Sequence, residues 1–183
     1  MPFDQTGREV GRTGIKSDKD LTNAEKIVFG LLKKNKTICT AESMTAGRMG
    51  YSITRVPGSS RVYMGGVVTY TRETKKLLLG IDDALMDLGL ITPAVSLQMA
   101  QKALIKFGTD YACAVTGNAG PSRDDDSAGV GRVYWAVVNK EGDEIVQHFD
   151  IFGGRDDVRD KATTHGLRLV RDFIDLHEEL EVI

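Results

Sequence analysis

Thr37-Ile38-Cys39-Thr40-Ala41-Glu42-Ser43-Met44-Thr45-Ala46-Gly47 is the stretch on which the fold class turns. Its first five residues form a short apolar run of strand length, and a helix is expected from Ser43 to about Arg55. Val56-Pro57-Gly58-Ser59-Ser60 stops that helix, because proline and glycine each interrupt regular structure. A buried strand passing directly into a helix is the opening of a βαβ unit, and such units build parallel sheet.

Upstream, Leu21, Ile27, Val28, Leu31 and Leu32 recur at helical spacing, with Thr22 or Asn23 as the cap and Lys33 to Lys36 closing the negative end. Downstream, residues 66–71 (GVVTYT) read as a strand, 72–79 as a short helix ended by Gly80, and the segment to Leu90 as a second short helix. Thr92 and Pro93 open a helix through Phe107, with Val95, Met99, Ala103 and Leu104 facing inward. Residues 110–116 (DYACAVT) form a strand ending at Gly117, and a glycine- and aspartate-rich loop runs to Gly131. Residues 133–138 and 144–152 then pair as a hairpin across Asn139–Asp143. A last helix starts near Arg155, with Val158, Ala162, Leu167, Leu169, Val170 and Phe173 on its core side. Crossover units followed by a late hairpin predict a three-layer α/β/α sandwich around a mixed β-sheet.

The 183 residues are enough for one domain with a substantial core, expected over 21–183. Residues 1–20 are polar and without period, and read as a flexible extension. Twenty-four basic against twenty-six acidic side chains leave a net charge of −2, which provides no footprint for nucleic acid or an anionic membrane. No apolar run reaches membrane-spanning length and no signal segment is visible, so a cytoplasmic location is expected. Cys39 and Cys113 lie in apolar runs and read as buried thiols. His148, His165 and His177 are not at metal-binding spacing, so neither a metal nor any other cofactor is expected. Walker A and dinucleotide fingerprints are absent from the sequence.

In open α/β sheets ligands collect beyond the carboxyl ends of the strands, which directs attention to three places. Ser43 stands at a helix start, where free backbone N–H groups can stabilise an oxyanion; serine is equally a preferred helix cap. Tyr70 and Lys75 span a strand end and the next helix. A partly desolvated lysine near Ser43 could act as general base with Tyr70 orienting it, or Lys75 could be an ordinary solvated charge beside Lys76. Thr116, Gly117 and Gly120 leave a strand in a loop that either approaches a ligand closely or is simply mobile. Arg155 and Arg159, four apart on one helix face, could grip a phosphate or pair with Asp156 or Asp160.

Taken in order, AESMTAG (41–47), VPGSS (56–60), GGVVTYTRETKKLLLGI (65–81), TGNAGP (116–121), GVGRVYWAV (129–137) and GGRDDVRDKAT (153–163) closely resemble the CinA C-terminal domain family. The resemblance covers about Leu21 to Leu176, without the family's usual N-terminal pyrophosphatase-like domain, and suggests a stand-alone form. It implies metal-independent hydrolysis of the carboxamide of nicotinamide mononucleotide, with Ser43, Tyr70 and Lys75 matching the family's catalytic positions. By the same resemblance Thr45, Gly47, Thr116, Gly117, Gly120, Arg155 and Arg159 would bind the substrate, and a homo-oligomer is expected. Met44 and Ala46 replace a cysteine and a glycine of the family's AESCTGG motif, and residues 122–128 depart from its glycine-rich loop. These departures motivate an alternative, a nucleotide- or partner-binding protein without catalysis, linked to competence or DNA damage. An amidase for another small carboxamide is a third reading.

Overall fold

The computed structural model describes residues 21–123 and 127–180, with side chains to Leu176. The extension over 1–20, the consecutive carboxylates Asp124 to Asp126 and the side chain of His177 lie outside the described residues. Helix α1 (Asn23–Lys34) is opened by a capping box, in which Thr22 accepts from the Glu25 N–H and the Glu25 carboxylate accepts from the Thr22 N–H. Strand β1 (Ile38–Glu42), helix α2 (Arg48–Thr54) and strand β2 (Tyr63–Val68) follow. Next come α3 (Arg72–Thr74), continued by a π-turn over Lys75–Leu79, then α4 (Asp83–Asp87) and α5 (Pro93–Phe107). Strands β3 (Tyr111–Gly117), β4 (Arg132–Asn139) and β5 (Glu144–Asp150) precede the long α6 (Arg155–Leu180).

The strands form one mixed sheet in the order β2-β1-β3-β4-β5, parallel from β2 through β3 and antiparallel for the final hairpin. The expected α/β/α sandwich is the observed one. Strand alternation divides the core: Ile38, Tyr111, Cys113, Val115, Val133, Trp135 and Val137 face α1, α2 and α6. Cys39, Ala41, Ala112, Ala114 and Ala136 face α5, whose Ala100 and Ala103 meet them. Small side chains on both sides let α5 lie close to the sheet. On the other face, Trp135 is fully buried and donates its indole N–H to the Ala162 carbonyl at 3.0 Å. His165 packs against Trp135 and Phe149 with ring centroids 4.5 and 4.6 Å apart, and burial, helped by Arg168, lowers its pKa. Both cysteines are buried, and burial pushes the Cys39 thiol up to about 11.

The bounds of β2 and α2 differ most from the sequence reading. Strand β2 begins three residues before the expected Gly66 and ends at Val68, so Tyr70 lies in the loop beyond it. α2 begins at Arg48 instead of Ser43, for a reason that belongs to the site. β1 runs on to β2 on one side and β3 to β4 on the other, so the connections leave these neighbouring strands in opposite directions and a crevice opens above β1 and β3 at their carboxyl ends.

Candidate active site

β1 ends on Glu42, a carboxylate 1% exposed. Its Oε2 accepts from the Thr45 hydroxyl at 2.7 Å and from the N–H groups of Gly47 and Met49 at 2.9 and 3.1 Å. Its Oε1 accepts from the Gly50 N–H at 2.9 Å and, at 3.5 Å, from the Thr40 hydroxyl. The donors of the first turn of α2 are therefore satisfied from behind by the strand, with a negative group at the positive end of the helix. Ser43 does not cap the helix. The N-cap is Gly47, which makes no side-chain capping bond.

Between strand and helix the chain makes a tight turn in which Ala46 (φ 51) and Gly47 (φ 91) are both left-handed. The Ser43 N–H extends the β1–β3 ladder by donating to Val115 at 3.0 Å, and the Ala46 N–H donates to the Ser43 carbonyl at 3.0 Å. The N–H groups of Met44 and Thr45 donate no hydrogen bond within the described residues. Of the two, Met44 borders the cleft described below, and Thr45 is fully buried.

Lys75 approaches from the other side. Thr71 caps α3, accepting from the Thr74 N–H at 3.2 Å, and the π-turn starts at Lys75 itself. The Lys75 side chain is 1% exposed, so the solvated alternative does not hold. Its Nζ donates to the Thr69 carbonyl at 2.8 Å and lies 3.2 Å from the Ser43 hydroxyl. Thr69 in turn donates its N–H to the Glu42 carbonyl at 2.8 Å. Serine and lysine, 32 residues apart in sequence, are held at hydrogen-bond distance, the one just after β1 and the other at the start of the π-turn that follows α3.

These groups border a cleft of about 50 Å³ lined by Ser43, Met44, Tyr70, Lys75, Leu90, Ile91, Thr116, Gly117, Ala119 and Arg155. Arg155 crosses its mouth, donating to the Gly120 carbonyl at 2.5 Å and to the Tyr70 hydroxyl at 2.6 Å. The floor includes Gly117, where a Cβ would stand 2.8 Å from the Arg132 carbonyl oxygen. The Thr116 hydroxyl donates to the Leu90 carbonyl at 3.2 Å, tying the floor to the α4–α5 loop.

Of the residues singled out from sequence, Ser43, Tyr70, Lys75, Thr116, Gly117 and Arg155 line this one cleft, and Gly120 borders it through Arg155. Thr45 and Gly47 do not line it; their polar groups are committed to Glu42. Arg159 is not aimed beside Arg155. Its Nε donates to the Met44 carbonyl at 2.9 Å, bracing the turn from outside, and its Nη1 pairs with Asp156 at 3.5 Å as the sequence alternative had it, while Arg48 pairs with both Asp156 and Asp160. Glu42, Leu90 and Ile91 were not singled out from sequence. Glu42 had a visible signal, a charged residue ending an apolar strand just before a helix; Leu90 and Ile91 had none, since only packing brings their loop to the cleft. Among the described residues, no group of three or more His, Cys, Asp or Glu side chains is placed to hold a metal ion, and no helix is long and apolar enough to cross a membrane.

The CinA C-terminal domain profile matches residues 20–174. This chain belongs to the CinA C-terminal domain family. A CinA-like protein of Mycobacterium marinum is 39% identical over 154 residues, covering 84% of this chain and 36% of the relative. The CinA-like protein of Mycobacterium tuberculosis is 38% identical over the same length, with the same coverage. The chain therefore spans about a third of the length of these relatives. Among solved structures, the competence/damage inducible protein CihA of Agrobacterium tumefaciens is 30% identical, with a TM-score of 0.77 over 81% of this chain and 91% of its own. A CinA superfamily protein of Klebsiella pneumoniae shares the fold with a TM-score of 0.80 at 23% identity, over 84% and 96% of the two chains. The CinA fold thus accounts for the layered sheet and for the crevice in which Ser43 and Lys75 meet.

Proposed function

We propose that this CinA-domain protein is a serine–lysine amidase that hydrolyses the carboxamide of nicotinamide mononucleotide to nicotinate mononucleotide and ammonia. The observation that carries this reading is the 3.2 Å separation of the buried Lys75 amine from the Ser43 hydroxyl at the bottom of a cleft. Burial penalises the charged form of an amine, and a neutral Lys75 is a base within reach of the serine proton.

In this mechanism Ser43 Oγ attacks the amide carbon as its proton passes to Lys75 Nζ, and the carbonyl oxygen becomes an oxyanion held by the Met44 N–H group. Collapse breaks the carbon–nitrogen bond, Lys75 returns the proton to the leaving nitrogen, and ammonia departs from an acyl-Ser43. Water then attacks the acyl carbon, giving its proton to Lys75, and Ser43 leaves with that proton as the acid forms. The cleft's 50 Å³ suits a carboxamide, with the remainder of a nucleotide lying outside toward Tyr70 and Arg155. Arg155 at the mouth supplies a cation for its phosphate.

The test is ammonia release from nicotinamide mononucleotide by the wild type beside Ser43→Ala and Lys75→Ala. Turnover in the wild type, lost in both folded variants, supports the amidase. A folded wild type that binds the nucleotide and releases no ammonia supports the non-catalytic binding reading, and release only from carboxamides lacking the phosphate reassigns the substrate.

A further inference from the structure

We infer that Glu42 is a positioning residue for Ser43, whose buried carboxylate fixes the Ser43–Gly47 turn so that the Met44 N–H, at the cleft, remains available to an oxyanion. The inference rests on the serine nucleophile proposed above, although not on its substrate. Glu42 touches no part of the cleft surface and acts only through the chain that follows it.

The geometry leaves this side chain little other role. An acidic group 1% exposed is costly unless its oxygens are satisfied, and Glu42 is satisfied by one hydroxyl and three backbone N–H groups at 3.1 Å or less. Those donors belong to residues 45, 47, 49 and 50, so one carboxylate anchors the far end of the turn and the first turn of α2 together. The turn's near end is fixed by the Ser43 N–H on Val115. Between these anchors the chain passes through two left-handed residues, one of them an alanine, a conformation it adopts only where its surroundings impose it. Without the carboxylate, the N–H groups of Gly47, Met49 and Gly50 lose their acceptor, and the turn is free to offer its carbonyls to them instead.

Glutamine is the discriminating substitution. It has the shape of glutamate, but one oxygen becomes an NH2 group that faces N–H donors it cannot accept from. The experiment measures the rate at which a fluorophosphonate labels Ser43 in the full chain. Ser43 Oγ forms a bond to phosphorus, fluoride leaves, the hydroxyl proton passes to Lys75, and the phosphoryl oxygen takes the oxyanion's place. Ser43→Ala supplies the unlabelled control.

Glu42→Gln is expected to label at least about tenfold more slowly than the wild type, since losing one oxyanion donor costs on the order of 10²–10³ in rate. The midpoint of its pH–rate profile is expected to stay where Lys75 sets it while the plateau falls. Labelling at the wild-type rate overturns the inference, as does a shifted midpoint with an intact plateau, which would make Glu42 a charge acting on Lys75. If Glu42→Gln does not fold, Thr45→Val removes the 2.7 Å tether alone and is expected to slow labelling by a few-fold with the midpoint unchanged; an unchanged rate there overturns the inference too. A wild type that labels at Ser43 yet releases no ammonia from nicotinamide mononucleotide defeats the proposed substrate and leaves Glu42's role standing. A wild type that does not label at all defeats both.

Discussion

The Lys75 amine lies 3.2 Å from the Ser43 hydroxyl with both side chains buried, and its other described bond is to the Thr69 carbonyl at 2.8 Å. An amine in that setting costs stability through desolvation and recovers part of it through its hydrogen bonds. Lys75→Met, similar in length and apolar, is therefore expected to fold with a stability within about 1 kcal/mol of the wild type, because released desolvation offsets the lost bonds. Ammonia release from nicotinamide mononucleotide is expected to fall by about 10²-fold or more, the usual contribution of a general base. Urea unfolding measured beside turnover checks the pair of effects; full activity in Lys75→Met would remove the base from the mechanism.

Ala46 holds a left-handed backbone at φ 51 on an exposed part of the turn. A side chain in that region costs about 1–2 kcal/mol, while glycine loses about 0.5–1 kcal/mol more chain entropy on folding. Ala46→Gly is accordingly expected to stabilise the protein by about 0.5–1 kcal/mol, read as a higher urea midpoint with unchanged slope. A lower midpoint would mean that the turn's surroundings, not its dihedral angles, set its energy.

Gly117 has no room for a methyl group. A Cβ there would meet the Arg132 carbonyl oxygen at 2.8 Å and the Val133 Cγ2 and Cα at 2.9 and 3.0 Å. Two of those atoms are backbone in the antiparallel partner strand and cannot rotate away. Gly117→Ala is expected to lose about 1–3 kcal/mol of stability and to displace the cleft floor. Thermal unfolding checks the first effect, and a rise in KM checks the second.

Asp110 ties the foot of the sheet together, accepting from the Thr37 N–H and hydroxyl at 2.8 and 2.9 Å and from Lys140. Burial by itself would raise its pKa, but the bonds from Lys140 and Thr37 outweigh burial and hold it below the usual carboxylate value. Because the folded-state value is depressed, its contribution is complete above the unfolded value, near about pH 4, and is lost as pH falls through the folded value. Asp110→Asn is expected to lower the urea midpoint at pH 7 and to lose its distance from the wild type below about pH 4. A gap that persists undiminished at pH 2 would assign the effect to packing instead of charge.

The sequence by itself determined the layers. Period-3.6 and period-2 patterns, the Thr92–Pro93 helix start and the glycine after residues 75–79 are local signals, set by side chains a few residues apart, and the structure follows them closely. It also marked the strand ends that carry the site: Ser43 follows β1, and Thr116 and Gly117 are the last residues of β3. What only the tertiary structure decided is which of these residues meet and which group satisfies which donor. The start of α2 moved to Arg48 because a buried carboxylate from β1 outcompetes a local serine cap, and Glu42 reaches that position only once the strand is in the sheet. Lys75 became a buried partner of Ser43 because β1 and β2 lie side by side. Arg159 turned to the Met44 carbonyl because α6 packs over α2. Such pairings join residues tens of positions apart, and no local period records them.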